Sequence, residues 1–357
     1  MSTEKNLNAI IRHSVILLAL FFTAANPSTA WAKDSNQNKG GAQESDAQKI
    51  VKNDSSVWNE RFHIELCGGF TTLNPSDLNL FVDYDNRLQE FNYDSLLNYL
   101  ESSSQILSWS KVREEDRRKI KNAFPLGGRL KYQIKDNLAV SIGFRYFSRT
   151  RESEFDFEYK RNEIEGDQYT ESLTYFPYSL SVNAYVPQVG IHLMKKIKGA
   201  LILEGYLAGG PLFVECRYFS NWSSEWYIRE ANNFEYLIFQ NSGALEERGK
   251  GTGVSLELGG RIYYGLIKNM GIFLEAGYAY QVVKNISGPG SELNGVSSES
   301  WEGQWAIKQE QVSAPWGELE AELPTGKWQD GSNDERVRNF KLDLSGFQLR
   351  LGLSFQF

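Results

Sequence analysis

No run of 18 or more apolar residues occurs in the 357-residue chain, so no helix of this sequence is built to cross a bilayer. Metal and nucleotide chemistry have no local signature either: there is no H-E-x-x-H, no C-x-x-C and no P-loop. Cysteine is scarce, with only Cys67 and Cys216, and histidine numbers 3. Positive charge is in deficit, with 38 Lys and Arg against 45 Asp and Glu, which disfavours nucleic acid as a partner. Mean hydropathy is −0.44. That value suits a soluble protein, and equally a barrel whose strands hide half their residues from lipid. Aromatics and glycine are plentiful: 18 Tyr, 21 Phe, 9 Trp and 31 Gly.

The amino terminus reads as an export signal. Lys5, Arg12 and His13 give a positive start, Val15 to Ala25 is an apolar run too short to span, and Asn26-Pro27 breaks it. Ala30-Trp31-Ala32 is an A-x-A cleavage site. Residues 1–32 are therefore expected to be a signal peptide. Their removal takes Glu4, Lys5 and Arg12 and makes the remainder one unit more negative. Residues 33–58 are polar, without period and low in aromatics, and read as a flexible periplasmic lead-in.

From residue 59 onward the dominant signal is period-two alternation. The last stretch shows it best. Phe347, Leu349, Leu351, Leu353, Phe355 and Phe357 are apolar, and Gln348, Arg350, Gly352, Ser354 and Gln356 between them are polar or small. A strand so apolar on one face needs an apolar medium there. Lipid serves, provided the sheet closes and leaves no edge. Similar alternation marks strands at about Arg61–Leu73, Phe124–Ile134, from Leu138 onward, Tyr169–Met194, Ala200–Phe219, Thr252–Ile267 and Met270–Val283. The pattern slips near Pro187, which is expected to be a bulge.

The connections alternate in length. Those at Lys135–Asn137, Lys195–Gly199 and Lys268–Asn269 are short; those between, including Pro75–Ala123, Asn221–Lys250 and Asn285–Lys341, are long. Outer-membrane barrels have this asymmetry, with short periplasmic turns and long external loops. The expected fold is all-β: a transmembrane antiparallel up-and-down β-barrel of eight strands over residues 59–357. Extra hairpins inside the long connections would raise the count to ten or twelve. Residues 75–123 break the pattern. Asn74-Pro75-Ser76-Asp77 is a helix-start signal, and Leu78, Phe81, Val82 and Leu88, then Tyr93, Leu96, Leu97 and Leu100, follow helical spacing. With the charged Lys111–Lys121 segment, they predict two or three short helices inserted in the first external loop.

The charges of the strands fall on the face away from the lipid-facing residues. The set is Glu65, Arg129, Lys131, Arg145, Glu204, Glu257, Arg261, Glu275 and Arg350. On the lipid face each would cost about 2–4 kcal/mol at mid-depth. Turned inward, basic and acidic groups can pair, and the interior of an eight-stranded barrel is just wide enough for side chains to fill it. A paired core that closes the barrel is expected, with a narrow polar path as the alternative. Cys67 lies low on its strand and Cys216 high on its own, on the order of 25 Å apart at the rise of tilted strands. Two unpaired thiols are expected. His63 and His192 fall near the periplasmic ends of their strands, far from the outer leaflet, so no Ser-His-carboxylate set is visible. No catalytic residue, metal site or cofactor is expected, and the chain is read as not an enzyme.

The terminal motif Arg350-x-Gly352-x-x-Phe355-x-Phe357 resembles the C-terminal assembly signal of bacterial outer-membrane barrels. With the signal peptide and the strand pattern, the chain resembles the small OmpA-, OmpX- and OmpW-like barrels over roughly Arg61–Phe357. The resemblance implies the bacterial outer membrane as location, membrane lipid as surroundings and the barrel-assembly machinery as a partner of the C-terminal strand. No peptidoglycan-binding domain is expected after the last strand, so the wall-anchoring role of two-domain OmpA proteins is not implied. The expected function is a non-enzymatic barrel presenting external loops for envelope structure or surface binding to an unidentified ligand. The alternatives are a narrow gated channel for small or hydrophobic solutes and, third, a lipid-modifying enzyme.

Overall fold

A computed structural model describes residues 61–102, 106–114, 119–162, 168–229, 235–267, 269–314, 317–328 and 336–357. The expected signal peptide and lead-in, residues 1–58, lie outside the described residues. The elements in order are β1 (Phe62–Thr72), α1 (Ser76–Ser102), β2 (Ile106–Glu114), β3 (Asn122–Ala123), β4 (Leu126–Lys135), β5 (Leu138–Asn162), β6 (Gln168–Lys198), β7 (Leu201–Arg229) and β8 (Glu235–Ile267). They continue with β9 (Met270–Lys284), β10 (Ser287–Asn294), β11 (Ser297–Ala314), β12 (Gly317–Trp328), β13 (Val337–Asn339), β14 (Lys341–Asp343) and β15 (Gly346–Gln356).

The antiparallel pairings form a ring. β1 pairs with β4, β4 with β5, β5 with β6, β6 with β7, β7 with β8, β8 with β9 and β9 with β15, and β15 returns to β1. Closure satisfies the backbone groups that an open sheet would leave at its edges. The alternation seen in the sequence sorts onto the two faces of this wall. Leu66, Ile142, Leu256 and Leu351 point out and are exposed, Leu351 by 63%. Glu65, Arg145, Glu257 and Arg350 point in and are buried. An exposed apolar face all round a closed sheet is the surface of a lipid-facing wall. No helix is long and apolar enough to cross a membrane, which says nothing of crossing by strands.

Above this belt the wall continues. The β5–β6 ladder runs to Asn162↔Gln168 and the β7–β8 ladder to Arg229↔Glu235. β10 adds to the far half of β8, β11 to β10 and β12 to β11, while β2 adds to β5 and β13 to β11. This corrects the expectation for Asn221–Lys250 and Asn285–Lys341, which are largely strands and not open connections. Away from lipid both faces of a strand meet polar surroundings, and the apolar alternation fades. The turn between β10 and β11 is tight, with Gly295 at φ 62, a left-handed conformation that suits glycine.

Pro187 also differs from expectation. β5 and β6 pair without a register shift at Pro187. On the other side, the β6–β7 ladder has no partners between Tyr185↔Phe213 and Val189↔Gly209. Pro187 and Pro211 face each other in that gap, and neither can donate a backbone hydrogen bond.

The first insert is one helix, α1, followed by strands, and not several helices. The Lys111–Lys121 segment begins inside β2, and residues 115–118 lie outside the described residues. Leu78, Phe81 and Val82 of α1 are buried; the side chains of Tyr93, Leu96, Leu97 and Leu100 lie outside those described. Asn79 is the first anchor: its Oδ1 accepts from Ile120 N at 2.9 Å and its Nδ2 donates to Ile120 O at 3.1 Å. Asp77 is the second. Its carboxylate accepts from Arg338 Nη1 at 2.8 Å, Arg338 Nη2 at 3.1 Å and Lys341 N at 2.7 Å. The hydrogen bonds from the Arg338 guanidinium to Asp77 push the Arg338 pKa up. Asp77→Ala leaves the Lys341 N–H and the Arg338 fork without this acceptor, a loss of about 1–3 kcal/mol. Hydrogen exchange of residues 336–345 is expected to quicken while that of β1 and β15 stays unchanged.

Candidate functional site

The lumen is filled in layers. At the end where β1 begins and β15 ends lies a small cavity of about 20 Å³ lined in part by His63, Lys131, Met194, Glu204 and Tyr263. Above it stand the charged residues. All nine sequence-selected positions are buried, none more than 6% exposed.

The structure brings the nine into one continuous network. Glu65 meets Arg261 Nη1 at 2.9 Å, Lys131 Nζ at 2.9 Å and Arg129 Nε at 3.1 Å. Glu204 meets Lys131 Nζ at 2.9 Å and Arg261 Nη1 at 3.3 Å. Glu275 takes Arg129 Nη2 at 2.7 Å and also pairs with Arg261 and Arg350. Glu257 takes Arg145 Nη1 at 2.5 Å and also pairs with Arg350. Each carboxylate thus has at least two cationic partners, which offsets the cost of removing it from water.

Several members of this network were not singled out from sequence. Tyr206 donates to Glu257 Oε1 at 2.6 Å. Its ring also receives Arg129 and Arg261 at 5.6 and 5.9 Å, within range for cation–π attraction. Gln348 accepts from Arg145 at 2.7 Å. Gly259 makes room for Tyr206, because a Cβ there would lie 2.4 Å from the tyrosine oxygen. His192 was expected to have no serine or carboxylate set around it. It lies with Nδ1 2.6 Å from Glu204 Oε1 and Nε2 2.7 Å from Ser141 Oγ. The turn signal at Lys195–Gly199 could have shown the His192–Glu204 half of this: the short turn pairs Met194 with Glu204 and His192 with Tyr206, so His192 and Glu204 share a face one diagonal apart.

Above the charges the filling turns apolar. Phe147, Leu180, Val182, Leu212, Val214 and Cys216 belong to a buried core with Leu78, Phe81 and Val82 of α1 and with Trp305 and Phe340. Phe81 stacks on Tyr218 at 4.4 Å and meets Trp305 edge-on at 5.4 Å. α1 therefore sits on the barrel mouth as its lid. Cys67 and Cys216 are free thiols. Of the terminal motif, Gly352 faces Phe273, whose Cζ would lie 2.2 Å from a Cβ at that position. Phe355 pairs with Ile64 of β1 and Met270 of β9, and Phe357 N donates to Phe62 O at 3.0 Å.

No family model and no curated protein matches the chain. Among solved structures, the outer membrane protein OprG from Pseudomonas aeruginosa is similar at 10% identity, covering 84% of this chain and 97% of that one, with a TM-score of 0.29. CarO2 of Acinetobacter baumannii shares 14% identity over 65% of this chain and 92% of its own, with a TM-score of 0.23. The outer membrane protease OmpT from Escherichia coli shares 10% identity over 83% and 97%, with a TM-score of 0.24. At these scores the likenesses carry no weight on activity.

Proposed function

We propose that this chain is a bacterial outer-membrane β-barrel, crossing with the eight ring strands β1, β4 to β9 and β15, that presents its external strands for envelope structure or surface binding. The observation that carries this reading is a wall apolar outside and filled inside. The nine-residue charge network and the apolar core under α1 pack the lumen with buried side chains, which supports a closed barrel. Presentation of this kind is a non-catalytic role. Exposed side chains that only lipid suits, such as Ile142, Val189 and Leu351, support the location. The export signal of residues 1–32, the lead-in 33–58 and kinship with the OmpA-, OmpX- and OmpW-like barrels belong to the same proposal. So does delivery by the barrel-assembly machinery through Arg350, Gly352, Phe355 and Phe357. The chain termini lie on the periplasmic side in this reading, and β2, β10 to β13 and α1 lie outside the cell.

The test is conductance of the refolded protein in planar bilayers. The intact chain is expected to be silent, and a variant lacking residues 76–102 is expected to be silent too, because the charge network lies below the helix. Steady openings in the intact chain would make it a channel instead. Openings only after the deletion would make α1 the gate of a conducting lumen.

A further inference from the structure

Four ring strands stand taller than the rest. β5 to β8 run on above the belt, whereas β1 ends at Thr72 and β4 begins only at Leu126. The registers of the tall strands set their outward residues in rows. One row is Tyr146, Tyr185, Phe213 and Thr252, side by side on β5, β6, β7 and β8. Its aromatics are 42%, 45% and 45% exposed. Outward aromatic rings mark where hydrocarbon gives way to headgroups. Two residues further along the strands, Glu215 stands opposite Lys250, and two further again Arg217 stands opposite Arg248. The Arg217 and Arg248 side chains are 49% and 55% exposed, while Cys216, Tyr218 and Glu247 on the inward face are buried. On tilted strands the two charged rows lie about 5 and 10 Å above the aromatics, and long basic side chains reach back across such an interval.

Two arginines directly opposite each other on an exposed face are an unfavourable choice for a sheet, because like charges there repel. One carboxylate serves both: Glu246 Oε1 meets Arg217 Nε at 2.9 Å and Arg248 Nε at 2.7 Å. Each guanidinium has five N–H donors, and this contact takes one from each fork. Arg217 Cζ also lies 6.0 Å from the Phe219 ring centroid, which steadies that fork against the wall. With Lys250 and Glu215 the patch sets three cations against two carboxylates. That excess is positive in a chain whose acidic residues outnumber its basic ones by 45 to 38. On β6 the residue beside Arg217 is Ser181, a short hydroxyl that leaves the fork uncrowded and can itself donate. A compact anion with several oxygens answers both forks at once, and arginine meets phosphate in this way.

We propose that Arg217 and Arg248, with Lys250 one row nearer the belt, bind the phosphate of a lipid headgroup in the external leaflet. The two forks share the phosphate oxygens, and Lys250 adds a point charge from below. Glu246 holds the two arginine side chains together, so the site is part-formed before the anion arrives. The lipid is favoured over a free phosphate by what lies beneath. Phe213 and then Val254, 45% and 63% exposed, offer the acyl chains an apolar wall directly under the cations. A free anion gains nothing from that wall. The site lies on the outer surface of the tall strands, open to headgroups and separate from the charge network of the lumen. This inference gives the surface-binding role a ligand class, and it rests on the membrane placement proposed above.

The experiment titrates the full chain, refolded in detergent micelles, and reads bound lipid by native mass spectrometry. A parallel sample is refolded into phospholipid vesicles and floated. The probes are dioleoyl phosphatidic acid, phosphatidylcholine with the same chains, whose phosphate is covered by choline, and inorganic phosphate. Wild-type protein is expected to hold phosphatidic acid on the order of 10-fold more tightly than phosphatidylcholine. The double variant Arg217→Gln, Arg248→Gln is expected to lose that preference. Lys135→Gln removes a positive charge from an exposed turn at the opposite end of the barrel and is expected to keep it. All these side chains are exposed, so each variant is expected to keep the gel mobility of a folded barrel. Equal binding of the two lipids by floating wild-type protein overturns the site and leaves the membrane placement standing. An equal loss in Lys135→Gln overturns it as well, because binding then follows net charge alone. Displacement of phosphatidic acid by an equal concentration of inorganic phosphate overturns the lipid as ligand. Failure to float overturns the membrane placement and this site with it.

Discussion

Glu257→Gln is expected to cost about 3–5 kcal/mol, the penalty for leaving a buried ion without its counter-charge. Glu257 is the carboxylate that Arg145 pairs with, at 2.5 Å, and Arg145 is 1% exposed. The amide keeps the shape and can still accept from Tyr206, but the charge that neutralises Arg145 is gone. Arg350 retains Glu275; Arg145 retains neutral partners, Gln348 at 2.7 Å and Ser255 at 3.4 Å. The measurement is urea unfolding of refolded protein in vesicles, comparing midpoints at a constant slope. Arg145→Met in the Glu257→Gln background removes the stranded ion and is expected to recover most of the loss. The two changes would thus be strongly non-additive, as neighbours in one network are. A cost below about 1 kcal/mol would mean that water reaches Arg145 and screens it, as it does for exposed pairs, and the lumen would then be a wet path.

The faces of the wall were legible because the bilayer makes them so. A residue such as Leu351 on one face and Arg350 on the next cannot exchange places without placing a charge in lipid, so alternation sorts inward from outward with little ambiguity. What alternation cannot give is which charges meet. Arg261 and Glu65 are 196 positions apart and touch only because β15 closes the ring between β1 and β9. The Ser141–His192–Glu204 line was hidden for a related reason. Ser141 reads as one small inward residue among others, and its place beside His192 depends on the stagger of β5 on β6, set across the long connection between them. The external strands were hidden by chemistry. Asn221–Lys250 mixes aromatic and polar residues without the apolar-then-charged alternation of the belt, so a strand there is hard to tell from a connection until its partner is known. The opposite error occurred at Lys111–Lys121, where charge suggested a solvated helix and the chain pairs its first part with β5.

Phe81→Ala is expected to free the lid and leave the wall. Phe81 is 2% exposed and its ring is held on three sides, by Tyr218 at 4.4 Å, Trp305 at 5.4 Å and Phe340 at 6.5 Å. Removing a buried phenyl ring costs about 3–5 kcal/mol. In a two-part molecule that loss falls on the weaker part. The ring strands are stitched by long ladders that close on themselves, whereas α1 is seated through Leu78, Phe81 and Val82 and the polar anchors at Asp77 and Asn79. A loss of 3 kcal/mol raises the population of the undocked helix by about 100-fold or more, and proteolysis of an open segment follows that population when opening is fast. Limited proteolysis of refolded protein should therefore cut within residues 76–102 far faster in the variant. The barrel should keep its folded gel mobility and stay silent in bilayers, because Arg145, Glu257 and the charges below them are untouched. Simultaneous loss of lid and barrel would show that the external core and the wall unfold as one unit. Unchanged proteolysis would show that the polar anchors, and not the aromatic cluster, hold α1 to the mouth.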